Sequence, residues 1–149
     1  MNFLLIGKPN AGKSSLYNIL TSGRNNIIHK EEGTTRDWHK SCVKDFKNVF
    51  IYDTPGVVIL NDKINKIHFA ELFNLADKFI YLIDFKEKNF DNEIQSINKL
   101  RVLNKEIILI INKDDNNEKD LNINLFGIKK VFFISCAHNL GIEEFYEYL

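Results

Sequence analysis

A chain of 149 residues with 44% hydrophobic positions holds apolar material for one core and no room for a second, so residues 1–149 are read as a single domain. Twenty Lys and Arg balance twenty Asp and Glu, and net charge therefore gives no ground for a nucleic acid or a membrane surface as the main partner, while a local basic patch stays open. The two cysteines, Cys42 and Cys136, have neither disulfide-framework nor metal-ligand spacing and are read as buried or inert thiols. The apolar runs are too short to span a membrane and the N-terminus has no secretory signal pattern, so the chain is expected to be soluble and cytoplasmic.

Taken in chain order, "NFLLIG", "NVFIYD", "KFIYLIDF", "EIILIIN" and "KVFFIS" are short segments rich in Ile, Phe, Val and Tyr, bounded by polar residues or Gly/Pro. Their near-continuous apolar character predicts strands buried on both faces, as in a parallel sheet covered by helices. Crossover helices are expected over Ser14 to Leu20, roughly Lys63 to Ala76 and Asp91 to Leu103, where apolar residues such as Ile67, Leu72, Leu75 and Ile94, Ile97, Leu100 recur at helical spacing. Between Trp38 and Tyr52 the pattern differs. "HKSCVKDF" and "NVFIY" are separated only by Lys47 and Asn48, which predicts a hairpin. The expected fold is α/β and three-layered: a mostly parallel sheet with one antiparallel edge strand and helices on both faces. "NKDDNNEKDLNIN" reads as helix or turn because Leu121 and Leu125 recur four apart, and a short last helix starts near Gly141, which suggests a truncated end.

The first strand runs into Gly7-x-x-x-x-Gly12-Lys13-Ser14, the pattern of a phosphate-binding loop in its proper context, after a strand and opening a helix. An ordinary strand-to-helix turn is the bland alternative. Glycines permit a tight loop whose amides, from Gly7, Asn10, Ala11, Gly12 and the helix start at Ser15, surround phosphate oxygens, and the helix adds its positive end. Lys13 reaches the β- and γ-phosphates in such a loop, and the Ser14 hydroxyl ligates Mg²⁺. "DTPG" places Asp53 at a strand end, where it can hold magnesium through water, and brings the Gly56 amide toward the γ-phosphate. "NKDD" closes a later strand. A carboxylate at Asp115 accepts from both the ring N–H and the exocyclic amine of guanine, whereas adenine offers an acceptor where guanine has a donor. The Asn-Lys-x-Asp spacing selects Asp115 and leaves Asp114 as a solvated acid. Asn112 offers a donor to the base and a tie between loops, the Lys113 stem can cover the base, and the amides of Ser135, Cys136 and Ala137 can meet the guanine oxygen.

With those motifs in order along nearly the whole sequence, the chain resembles the small GTPase superfamily, with a P-loop NTPase fold. "GKPNAGKSSLYNIL", "GTTRD" at Gly33 to Asp37 and "DTPG" look like the TrmE–Era–EngA branch, and the hairpin, "LADKFIYLIDF" and "ISCAHNLGIEEF" most resemble a GTPase domain of EngA, also called Der. That family has two such domains and a further C-terminal domain, and "DTPG" is nearer to Era than to the usual EngA form. The resemblance implies GTP/GDP as ligand, Mg²⁺ held by Ser14, Thr35 and Asp53, and a K⁺ ion bound with the help of Asn10. It also implies a monomeric GTPase without a membrane role, acting in large ribosomal subunit assembly and meeting ribosomal RNA or a ribosomal subunit through other domains. Era- and TrmE-type GTPases, or a nucleotide-binding scaffold with little turnover, stand as alternatives.

Val57 and Val58 occupy the place of a water-positioning glutamine, so slow intrinsic hydrolysis is expected, and the resemblance implies that potassium stimulates it. Lys13, Thr35 and Asn10 form the expected catalytic set, and Arg36 reads either as an internal finger or as a surface residue. His29, His39, His68 and His138 lack metal spacing. Trp38 is read as nucleotide reporter or edge packing, and Lys40, Lys44 and Lys47 as edge protection or an RNA-facing patch.

Overall fold

The computed structural model describes residues 1–21, 27–29, 38–54 and 66–149, with the side chains of 27–29 and 66–69 outside that description. The first strand, β1 (Asn2–Gly7), leads through a 3-10 turn at Pro9–Ala11 into α1 (Lys13–Thr21). Then come β2 (Ile27–His29), β3 (Trp38–Cys42), β4 (Phe50–Asp53), α2 (Lys66–Leu75), β5 (Lys78–Asp84) and α3 (Asp91–Arg101). The chain continues with β6 (Glu106–Asn112), a 3-10 turn at Ile123–Phe126, β7 (Lys130–Phe133) and α4 (Ile142–Tyr148).

Seven strands form one sheet in the order β2-β3-β4-β1-β5-β6-β7. β1 pairs in parallel with β4 on one side and β5 on the other, and β6 and β7 continue in parallel. β3 is antiparallel to both of its neighbours, as the hairpin reading of that segment expects. It is not outermost, because the three-residue β2, which has no counterpart among the expected strands, pairs along its outer side. Edge protection by lysine is therefore not required on β3, and Lys40 instead lays its ammonium 4.5 Å over the Phe50 ring. The hairpin turn is also longer than the two expected residues. Val43 donates to the Val49 carbonyl, and the chain turns through Lys44 to Asn48.

Alternate residues of the strands feed two cores, which is why their sequences are apolar throughout. Leu4, Ile6, Phe79, Tyr81, Leu109 and Ile111 pack with Leu72 of α2 and with Ile97 and Leu100 of α3. On the opposite face Phe3, Leu5, Ile80, Leu82 and Ile108 pack with Leu16 and Leu20 of α1 and Phe145 of α4. The helix stripe read in the sequence is partly displaced: Leu72 is buried but Leu75 is exposed. After β6 the polar stretch folds into turns. Phe126, and not Leu125, enters the core there. Among the described residues no helix is long and apolar enough to cross a membrane.

Candidate nucleotide site

The sheet order reverses direction at β1, whose neighbours β4 and β5 are reached by opposite crossings, and a crevice opens there at the strands' C-terminal ends. Gly7 ends β1 against β5. A Cβ at Gly7 would stand 2.4 Å from the Leu82 carbonyl oxygen, so this close strand approach requires glycine. Gly12, in a left-handed conformation with φ of 96°, turns the loop into α1, and a Cβ there would meet Asn112 Nδ2 at 2.2 Å.

Lys13 is 3% exposed and donates from Nζ to the carbonyls of Gly7 and Lys8, each at 3.0 Å. Burial lowers its pKa, an effect that the charge of Asp53 opposes. Ser14 Oγ donates to Asp53 Oδ2 at 3.2 Å, across from the end of β4. Asp53 Oδ1 is buried with no hydrogen-bond partner among the described residues, and burial raises the pKa of this carboxyl. A hydroxyl and an unpartnered carboxylate oxygen at the start of α1 and the end of β4 are a hard oxygen donor set that fits Mg²⁺. Thr54 seals the strand end by donating to the Leu5 carbonyl at 3.1 Å. Asn10 and Ser15 are exposed on the 3-10 turn and on the first turn of α1. Thr35, Arg36, Gly56, Val57 and Val58 lie outside the described residues.

Asn112 ends β6 and joins both loops: its Nδ2 donates to the Ala11 carbonyl at 2.8 Å and its Oδ1 accepts from the Cys136 amide at 3.0 Å. Lys113, with φ of 71°, directs its ammonium onto Asp84 at the end of β5. Asp115 Oδ1 accepts from Ser135 Oγ at 2.7 Å, and Oδ2 pairs with Lys86 at 2.6 Å. These contacts, with Lys86 first, hold the Asp115 carboxyl below its ordinary pKa. Asp115, Lys86, Lys113 and Phe85 line a cleft of about 410 Å³. The Ser135 amide donates to the Leu140 carbonyl and the Cys136 amide to Asn112, so among the described residues the unengaged amide of that segment is that of Ala137. Cys136 itself is half-buried, and burial pushes its thiol up to about 11, which makes it inert as a nucleophile.

Asp114 corrects the sequence reading. It is not solvated but 2% exposed, and its carboxylate accepts from the amides of Glu118 and Lys119 at 2.8 and 3.1 Å, fixing the turn that presents Asp115. Asp84, Lys86 and the Lys8–Glu93 ion pair at 2.6 Å were not singled out from the sequence. For Asp84 a signal existed, since it closes a segment that the sequence marks as a strand of a parallel sheet, at whose C-terminal strand ends ligand sites gather.

This arrangement of fold and site defines a P-loop nucleotide-binding domain of the GTPase class. Residues 2–113 match the family described as 50S ribosome-binding GTPase. The chain is 36% identical over 157 residues to GTPase Der of Campylobacter jejuni strain RM1221, covering 99% of this chain and 34% of that protein. To GTPase Der of Campylobacter lari it is 38% identical over 152 residues, covering 96% of this chain and 32% of that protein. The chain thus belongs to the 50S ribosome-binding GTPase family, and its relatives support the EngA/Der resemblance carried by its motifs. It spans about a third of the length of those relatives. Among solved structures it is similar in fold to a GDP-bound mutant of the S. thermophilus FeoB G-domain, with a TM-score of 0.79, 24% identity and coverage of 99% of this chain and 59% of that one. The G domain of the T. maritima FeoB iron transporter superposes with a TM-score of 0.72 at 25% identity, covering 99% of this chain and 94% of that one.

Proposed function

We propose that residues 1–149 act as one guanine-nucleotide-binding domain that hydrolyses GTP to GDP and phosphate in a cation-assisted reaction. The observation that carries this reading is the Asn112 side chain, which locks the phosphate loop to the segment holding Asp115, so that the phosphate and base contacts form one unit. Asp115 accepts the guanine ring N–H and amine, displacing Lys86, while Ser135 keeps Oδ1 oriented and the Ala137 amide meets the guanine oxygen. Lys113 covers one face of the base with its stem. Lys13 leaves the Gly7 and Lys8 carbonyls for the phosphates, whose charge replaces its lost solvation. Ser14 and Asp53, together with Thr35, would hold Mg²⁺, which would supply positive charge against the phosphates when bound.

Water attacks the γ-phosphorus as the bond to the β-phosphate oxygen breaks, and the site's contribution is positioning and charge. Val57 and Val58 supply no polar group to orient that water, which supports a slow intrinsic rate and a role for K⁺ held by Asn10. The family description and the Der relatives support action of the whole protein on the large ribosomal subunit, through RNA or subunit contacts outside this third of the relatives' length. Such a role places the protein in the cytoplasm.

The test is single-turnover GTP hydrolysis in KCl against NaCl, with Asn10→Ala alongside. Faster turnover in KCl that Asn10→Ala abolishes is the expected outcome. Binding of GTP without turnover in either salt would reduce the domain to a nucleotide-binding scaffold.

A further inference from the structure

Glu93, on the first turn of α3, takes no part in the reading above, yet it is 3% exposed. Its Oε1 lies 2.6 Å from Lys8 Nζ, and its Oε2 is buried with no partner among the described residues. A carboxylate so placed is costly to keep charged unless a cation meets it, and breaking such a pair leaves an uncompensated charge. Lys8 has no equal need, since its side chain is 30% exposed and reaches Glu87 as well, at 3.5 Å. The buried acid therefore dictates where the lysine goes. The lysine pKa is raised, first of all by its bond to Glu93.

Lys8 is also the second residue of the phosphate loop. Its carbonyl accepts from Lys13 Nζ at 3.0 Å and from the Ala11 amide at 3.1 Å. One residue is thus gripped from α3 through its side chain while its backbone shapes the loop and parks the phosphate-binding lysine. Beneath the loop, between Pro9, Asn10 and Glu93, lies a cavity of about 120 Å³, so apolar packing alone does not hold the loop from that side.

We propose that Glu93 is a positioning residue for nucleotide binding, which anchors the phosphate loop onto α3 through Lys8. The proposal rests on the guanine-nucleotide reading of the site. α3 then belongs to the binding machinery, and any change in its position is passed to the phosphates.

The sign of two substitutions tests this. If the two charges acted only through their field on an anionic ligand, Lys8→Met would weaken GDP binding and Glu93→Gln would tighten it. An anchor predicts the same sign for both. GDP affinity is measured by calorimetry in Mg²⁺ for the wild-type protein, K8M, E93Q, the double variant and K8R. The expected result is a loss of about fivefold or more in each single variant, a double variant no worse than the weaker single, and near wild-type affinity in K8R, which keeps the pair. Unchanged or tighter binding in E93Q, or a fall in Tm alone, overturns the proposal. Should E93Q not fold, K8M decides it: a loss that persists at high salt supports the anchor, and one that salt abolishes leaves only a screened charge and overturns it. A wild-type protein that fails to bind GDP overturns the guanine-nucleotide reading and the anchor together, whereas normal wild-type binding with unaffected variants removes the anchor alone.

Discussion

At the scale of single residues, Asp115 and Asp53 are carboxylates placed in opposite ways. Asp115 is held charged by Lys86 and Ser135 at the edge of a cleft, where on the proposed reading it accepts two donors from a base. Asp115→Asn presents an amide that can donate where the carboxylate only accepted, and xanthine carries an acceptor in place of the guanine amine. Preference is expected to move from GTP to XTP, as measured by competition binding of the two nucleotides. Asp53 is instead raised in pKa by burial, so charge is harder to hold on it in the folded, nucleotide-free protein than on a solvated carboxyl. Its charged form then subtracts from stability, by nothing at acid pH and by the full amount above the raised pKa. Relative to Asp53→Asn, the wild-type protein without nucleotide is expected to lose stability as pH rises out of the ordinary carboxylate range, which urea unfolding of both proteins across that range will show. The local Asn-Lys-x-Asp spacing selected Asp115, and the structure places that residue on the cleft beside Lys113. The burial of Asp114 was not legible in that spacing, because the amides that it caps belong to Glu118 and Lys119, in a turn without hydrophobic periodicity.

At the scale of elements, the helix positions that face the sheet were largely readable from their spacing, and the short elements were not. α4 spans only Ile142–Tyr148, too little to persist as an isolated helix, and it is held by Phe145, fully buried with its ring 5.2 Å from that of Phe132. Phe145→Ala is expected to cost about 3–5 kcal/mol, seen as a lower urea midpoint, because the sheet cannot close over the space vacated. β2 was missed for a related reason. Three residues carry too little pattern to be seen, and that strand exists as the outer partner of β3. The 3-10 turn at Ile123–Phe126 likewise buries Phe126, which meets the Phe90 ring at 5.4 Å, while the Leu121/Leu125 spacing pointed elsewhere.

At the scale of the whole molecule, the residues proposed to contact nucleotide come from β1, the start of α1, β4, β6 and the segment after β7, so on that reading occupancy of the site would brace most of the sheet against unfolding. Mg·GDP at a thousandfold excess over its Kd is expected to stabilise the protein by about 4 kcal/mol, and EDTA to remove a large part of that gain, as thermal unfolding will report. The sequence by itself determined the three-layer α/β plan and the glycine pattern of the first loop, because strand burial and the glycine and lysine spacing are written in neighbouring residues. Only the tertiary structure decided that β5 lies beside β1, bringing Asp84 to Lys113 and Lys86 to Asp115, and that α3 delivers Glu93 to the phosphate loop. Those pairings join residues far apart in the chain. They follow from strand order and helix docking, which the burial of both sheet faces selects and no local spacing records.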